Sequence, residues 1–90
     1  MSETITIKHT GNGGAVRVSA DAENPARQAA EILARRMYGK RGVVGTLRLD
    51  SHAADGSSHT YEAFVGVGPT QVERRRGANG ITGRNIWIYV

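Results

Sequence analysis

Only one stretch of this chain has the three- and four-residue spacing of an amphipathic helix. It begins at Asn24 and Pro25, because asparagine can cap free backbone N–H groups and proline suits the first helical position. Gly39 and Gly42 are expected to end it, since glycine accepts the left-handed backbone of a helix C-cap. One such helix covers one face of one sheet, so the 90 residues are limited to a small two-layer fold. The predicted packing face is rich in alanine and consists of Ala26, Ala29, Ala30, Leu33 and Met37.

Alternating apolar and polar residues predict five strands around this helix. Glycines within residues 10–14 predict a hairpin turn between the first two strands, and the polar residues 51–59 predict an exposed connection between the next two. We therefore expect a single α+β domain over residues 1–90, in the order ββαβββ, with an antiparallel sheet and the helix packed on one face. The strands are predicted at residues 4–8, 16–20, 43–50, 60–67 and 86–90.

The composition argues against several classes of function. The chain has no cysteine, and therefore no disulfide framework, thiolate metal site or cysteine nucleophile. His52 and His59 are close in sequence to Asp50 and Asp55, but their spacing matches no metal-ligand motif. No pair of carboxylates and no serine motif has the spacing of a catalytic site. We expect a protein that is not an enzyme and that holds no metal and no cofactor.

The sequence also predicts where the protein is found. No apolar run approaches the ~20 residues of a membrane-spanning helix, and the first residues are polar, unlike those of a signal peptide. The absence of cysteine fits a reducing compartment. We expect a cytoplasmic protein with no membrane contact.

The same alternation divides the strand residues between the two faces of the sheet. Phe64, Trp87, Tyr89 and Arg48 are predicted on the face that the helix leaves uncovered. This grouping fits the apolar side chains of an ordinary amphipathic surface, or a small second apolar cluster. It fits equally an interface for another chain or a stacking surface for bases. The face beneath the helix is predicted to hold Ile5, Val16, Val18, Val43, Leu47, Leu49, Ala63, Val65, Ile86 and Ile88, with Val44 on the opposite side and a bulge expected at Gly45.

Residues 69–85 are predicted to form a basic, glycine-rich loop. Four arginines against one glutamate give residues 69–90 a charge of +3, out of a net charge of +4 for the chain. Guanidinium groups make bidentate contacts with phosphate or carboxylate, and glycines permit close backbone approach. A nucleic acid or nucleoprotein is the favoured partner, with an acidic protein or a merely solvated loop as alternatives. The predicted contact residues are Arg74, Arg75, Arg76, Asn79, Arg84 and Asn85.

In length, cysteine-free composition and ββαβββ order, with one helix opening at a proline, the chain resembles very small proteins of phages and mobile elements. In that outline it is similar to type I anti-CRISPR inhibitors. The resemblance is architectural, covers most of the chain and assigns no contact residues. It implies a non-catalytic inhibitor that docks on a CRISPR surveillance ribonucleoprotein and blocks binding of target DNA. Because the chain is basic, it departs from acidic DNA mimics, and contact with guide, DNA or acidic protein surfaces is implied instead.

Two further functions fit the same sequence. One is a free-standing DNA- or RNA-binding module that contacts the phosphate backbone, although no helix-turn-helix, zinc knuckle or paired aromatic RNA-binding motif is present. The other is a homo-oligomeric structural protein that associates through the aromatic face or the last strand.

Overall fold

In a computed structural model of the chain, residues 3–50 and 60–90 are described. Five strands form one antiparallel sheet in these ranges, and a 14-residue helix packs on one face. The predicted α+β class and the order ββαβββ are confirmed, with a short second helix before the last strand. Neither helix of the described ranges is long and apolar enough to cross a membrane. The elements are β1 Thr4–His9, β2 Val16–Ser19, α1 Pro25–Tyr38, β3 Gly42–Asp50, β4 Thr60–Val67, α2 Gln71–Arg75 and β5 Thr82–Tyr89.

Helix α1 begins and ends where its capping residues predict. The Asn24 side chain accepts a hydrogen bond from the Arg27 backbone N–H at 3.1 Å, and Pro25 takes the first helical position. Gly39 has a φ of 74°, a left-handed value that glycine adopts without strain, and a single 3-10 turn over Gly39–Arg41 leads into β3. The buried face of α1 consists of Ala26, Ala29, Ala30, Leu33 and Ala34.

The strand order is β2-β1-β5-β4-β3, so strands from the two ends of the chain are neighbours at the centre of the sheet. β1 divides its pairing, because residues 4–7 pair with β2 whereas Lys8 and His9 pair with β5. Thr10 extends this junction: its N–H donates to the Trp87 carbonyl at 3.0 Å and its hydroxyl accepts from the Trp87 N–H at 2.9 Å. The sheet therefore curls where the first hairpin meets β5.

The core lies between α1 and the sheet face that α1 covers. Ile5 and Leu49 were predicted in this core but are exposed, and Leu47 is only half-buried. Leu49 lies on the edge strand β3, and Ile5 lies on β1 beyond its pairing with β5, so both are at the margin of the packed area. The sheet residues buried against α1 are Ile7, Val16, Val18, Ala63, Val65, Ile86 and Ile88.

A bulge at Gly45 changes which side chains of β3 face the helix. The pairing with β4 shifts between Val44 and Thr46. Val44 therefore packs against the core, and Val43 turns to the uncovered face. Strict alternation predicted the reverse for these two valines. The bulge adds one residue to β3, so the residues before it face the opposite side of the sheet from the one that alternation assigns.

The contact between α1 and the start of β3 is close enough to exclude a methyl group. A Cβ at Gly42 would collide with the Ala34 carbonyl oxygen. Gly42→Ala should therefore destabilise the fold by about 1–3 kcal/mol, the usual cost of overpacking.

Gly14→Ala is the matched control, since nothing lies within 4 Å of a Cβ at that position. This substitution should leave the stability unchanged, or increase it by up to ~1 kcal/mol because alanine lowers the conformational entropy of the unfolded chain. Urea denaturation compares the two variants, and equal midpoints would contradict the close packing of α1 on β3.

Candidate nucleic-acid interface

The basic segment begins on a helix rather than in a loop. Thr70 accepts a hydrogen bond from the Glu73 N–H at 3.2 Å through its hydroxyl, and the Glu73 carboxylate accepts one from the Thr70 N–H at 3.0 Å. This reciprocal capping box fixes the first turn of α2. The loop predicted over residues 69–85 is thus replaced by α2, a turn through residues 76–81, and the first part of β5. Thr70 and Glu73, three residues apart, are the sequence signal that identifies such a helix start.

The capping box also sets the charge of Glu73. The hydrogen bond from the Thr70 backbone lowers the pKa of Glu73 below its ordinary value, and the Thr70 side chain acts in the same direction. Desolvation partly opposes these two effects, and the charge of Arg41 adds a smaller lowering of the pKa. The carboxylate is therefore ionised at neutral pH. It is held at the start of α2, where a negative charge is favourable.

Arg74, Arg75 and Arg76 are exposed at the end of α2. None of them forms an ion pair with another residue in the described parts of the chain, where the ion pairs join Arg27 to Glu31 and Arg48 to Glu62. Three adjacent cations without an internal partner repel one another, and an external anion relieves that repulsion. The three arginines are therefore available to a ligand.

Arg41 and Arg74 converge on the same stretch of backbone. Arg41 Nη2 donates to the Gly68 carbonyl at 2.8 Å, and a methyl group placed on Gly68 would lie 3.9 Å from Arg74 Nη2. Arg41 follows α1 and is 33 positions before Arg74, so the fold brings the two side chains together. Two guanidinium groups at one place form a stronger anion site than the continuous run of arginines by itself.

A cleft of about 690 Å³ opens beside these two guanidinium groups. Its size is in the range of small-ligand sites, ~300–1,000 Å³. A second depression of about 510 Å³ shares Arg41, Pro69 and Arg74 with it, so the arginines stand between two hollows. The walls of the first cleft are mostly apolar, and they are formed by Val43, Pro69, Ala78 and Ile81, with Asn79 as a polar group.

Arg84 and Asn85 do not lie with the other predicted contact residues. They belong to β5, and their side chains point to opposite faces of the sheet. Arg84 pairs with Val65 on the face beneath α1 and lines a small hollow beside Met37. Asn85 pairs with Phe64 on the uncovered face. The prediction that Arg84 belongs to the basic loop is therefore wrong, because β5 starts at Thr82 rather than Ile86 and carries Arg84 away from α2.

The uncovered face carries the aromatic residues that the alternation predicted. Trp87 and Tyr89 are 37% and 43% exposed. Phe64 is only half-buried on this face, and the Phe64 and Ile81 side chains both lie over Gly45, at 3.3 and 3.2 Å from a methyl group placed there. Ile81 thus places the segment after α2 at one end of the uncovered face. Trp87 and Tyr89 lie toward the other end, where β5 pairs with Glu62 and Thr60 of β4.

Arg48 is on this face as predicted, but its charge is already partnered. Arg48 Nη2 lies 3.0 Å from a carboxylate oxygen of Glu62, and Glu62 in turn is opposite Trp87 on β5. Any anionic ligand must compete with Glu62 for Arg48. It is therefore a weaker contact candidate than the unpaired arginines of α2.

The described part of this surface has no group of side chains that could hold a metal ion. Residues 3–50 and 60–90 contain no cluster of three or more histidine, aspartate, glutamate or cysteine side chains that could hold a metal ion. His52, His59 and Asp55 lie outside the described residues.

Comparison with known proteins gives no match. No family model fits the chain, and neither a curated protein nor a solved structure is significantly similar to it.

Sequence reasoning missed Arg41, Val43, Pro69 and Ile81, which complete the cleft. In the sequence, Arg41 directly follows the predicted helix, where a cation is favourable at the negative end of the helix dipole, and this position alone accounts for it. No local pattern connects it with Arg74, because the connection depends on the packing of β3 against β4. The bulge at Gly45, which turns Val43 toward the cleft, was anticipated from the glycine, although its effect on the side of Val43 was not.

Acidification should destabilise α2, the helix that carries the arginines of this surface. The folded-state pKa of Glu73 is lowered, so its contribution to α2 is present at neutral pH and is lost as the pH falls through that lowered value. An NMR titration of the Glu73 side-chain carboxyl should give a midpoint below ~4.3, the ordinary value for glutamate. The backbone amide chemical shifts of Arg74 and Arg75 should change with the same midpoint.

Thr70→Ala tests the cause of this shift. Loss of the hydroxyl should raise the Glu73 midpoint toward the ordinary value and weaken the helical shifts of α2. Thr46→Ala, at an exposed position on β3, should leave the titration unchanged. Because the Thr70 N–H is kept in Thr70→Ala, the midpoint should rise only part of the way, and an unchanged midpoint would show that the hydroxyl does not contribute to the shift.

Proposed function

We propose that this chain is a non-catalytic binding protein that docks on a nucleoprotein through the basic end of its uncovered face. The observation that carries the proposal is the group of three exposed arginines on a capped helix, without an ion-pair partner among the described residues. Next to them, Arg41 and Arg74 converge at Gly68. A row of phosphates provides repeated negative charge for such a group of cations.

An RNA-guided surveillance complex is the specific partner that we include in this proposal, on the resemblance of the sequence alone. Its length, cysteine-free composition and ββαβββ order resemble those of type I anti-CRISPR inhibitors, and such an inhibitor blocks target DNA by occupying its path. A basic inhibitor fits a surface on which guide or DNA phosphates are exposed. The exposed Trp87 and Tyr89 lie on the same face, toward the other end of β5 from the cations, and supply further apolar contact area for an extended partner.

The two arginines beyond the cleft give the first test. Arg75→Ala combined with Arg76→Ala removes two phosphate contacts and leaves the cleft arginines in place. Binding of a fluorescein-labelled single-stranded RNA should weaken, and the slope of log affinity against log salt should become shallower by about 1.4, at ~0.7 per phosphate on a single strand. Fluorescence anisotropy over a range of salt concentrations measures both quantities.

Arg27→Ala combined with Arg35→Ala is the matched control, because it removes the same charge from the exposed face of α1. If the RNA binds at α2, this pair of substitutions should leave the salt slope unchanged. If binding depends only on the net charge of the protein, the slope should decrease as much as it does for the α2 variant. Equal slopes for the two double variants would contradict the proposed interface.

A second experiment separates docking on a nucleoprotein from binding to free nucleic acid. The purified chain is titrated against a type I surveillance ribonucleoprotein, against naked single-stranded RNA and against duplex DNA. We expect the ribonucleoprotein to bind most tightly and to lose affinity for target DNA when the chain is bound. Equal affinity for naked nucleic acid would favour the free-standing binding module, and no binding to any of the three would refute the proposal.

A further inference from the structure

We propose that the cleft between α2 and β3 holds one unstacked nucleotide of a single-stranded nucleic acid, with its phosphate at Arg41 and Arg74 and its base against the apolar wall. This inference rests on the proposed function and adds a ligand class and an orientation to it.

The phosphate position follows from the two guanidinium groups. Arg41 is oriented by its 2.8 Å hydrogen bond to the Gly68 carbonyl, which uses one of five N–H donors and leaves the others for a ligand. Arg74 Nη2 approaches the same glycine, and neither arginine has an ion-pair partner within the ranges that the structure describes. Glu73, the nearest acidic residue along the chain, has its carboxylate engaged by the Thr70 N–H.

The base position follows from the character of the cleft wall. Val43, Pro69 and Ile81 give an apolar surface on which a flat ring can pack, and Asn79 has both a donor and an acceptor for the edge of a base. The volume of about 690 Å³ leaves room for a base together with its ribose.

The second hollow indicates that the ligand is a chain rather than a lone nucleotide. It lies on the other side of the Arg41 and Arg74 pair and leads along Thr70 and Gln71. A strand passing from one hollow to the other places a phosphodiester at the arginines. A duplex keeps its bases stacked inside, so the site selects single strands.

The experiment compares two probes of the same length and charge. One is a labelled ten-nucleotide oligouridine, and the other is a ten-unit ribose-phosphate chain without bases. The protein should bind the base-containing probe about ten-fold more tightly, the order of effect that stacking of one base produces. The two affinities should fall in parallel as salt is added, because the phosphates are common to both.

Filling the cleft should remove this preference. Ala78 is exposed and lines the cleft, so Ala78→Leu fills the base position without entering the core and without adding an aromatic ring on which a base could stack. Asn79→Leu is a second filling variant at the neighbouring exposed position. Ala20→Leu is the matched control, since Ala20 is exposed just after β2, the strand at the opposite edge of the sheet from β3. Circular dichroism verifies that each variant is folded.

The outcomes separate the two proposals. A base preference that is lost in Ala78→Leu and Asn79→Leu but kept in Ala20→Leu supports the nucleotide site. Equal, salt-dependent binding of both probes by the unaltered protein overturns the site and leaves the proposed function intact. A preference that survives in both filling variants places the base elsewhere, as at Trp87, and overturns the site. Equal competition by a ten-residue polyglutamate peptide would also overturn it, and failure to bind either probe would overturn both proposals.

Discussion

The packing of α1 against the sheet is the interaction on which the rest of the structure depends. Alanines at four of the five buried helix positions let the helix lie close to the strands, and Leu33 fills the space between them. Truncation of a buried leucine typically costs about 2–5 kcal/mol, whereas an exposed ion pair such as Arg27 with Glu31 contributes ~0.5 kcal/mol or less. For a domain whose total stability is about 5–15 kcal/mol, this contact decides whether the chain folds.

The same packing determines where a ligand can bind. Because α1 covers one face, the opposite face is open to contact, and Trp87 and Tyr89 stay exposed there. At one end of that face the segment between β4 and β5 is held by its capping box and by the position of Ile81 over Gly45 of β3. The cations of this segment are therefore presented by an ordered surface, which reduces the entropy lost on binding.

The sequence was sufficient to predict the fold because its local signals agree with one another. Asn24, Pro25 and Gly39 mark both ends of α1, and the alternation in β4 and β5 assigns Ala63 and Ile86 to the same buried face. Predictions failed where one residue changes the phase, as at Gly45, or where an element is short, as in α2. A five-residue helix has little periodicity, so only its capping residues identify it.

The binding surface was less predictable than the fold. Arg74, Arg75 and Arg76 are recognisable as a cluster because they are adjacent, and the structure keeps them exposed. Arg41 joins them only through the pairing of β3 with β4, and Arg84 leaves them because β5 begins earlier than its apolar residues indicate. Both differences arise from tertiary contacts, which a charge count along the chain does not record.

Binding of a polyanion at α2 and the adjoining cleft can be observed residue by residue in an NMR titration of the labelled protein with a short single-stranded RNA. Such binding should change the backbone amide shifts most over residues 68–81 and at Arg41, with little change along the exposed face of α1. Changes centred on α1, or no changes at moderate salt, would contradict it.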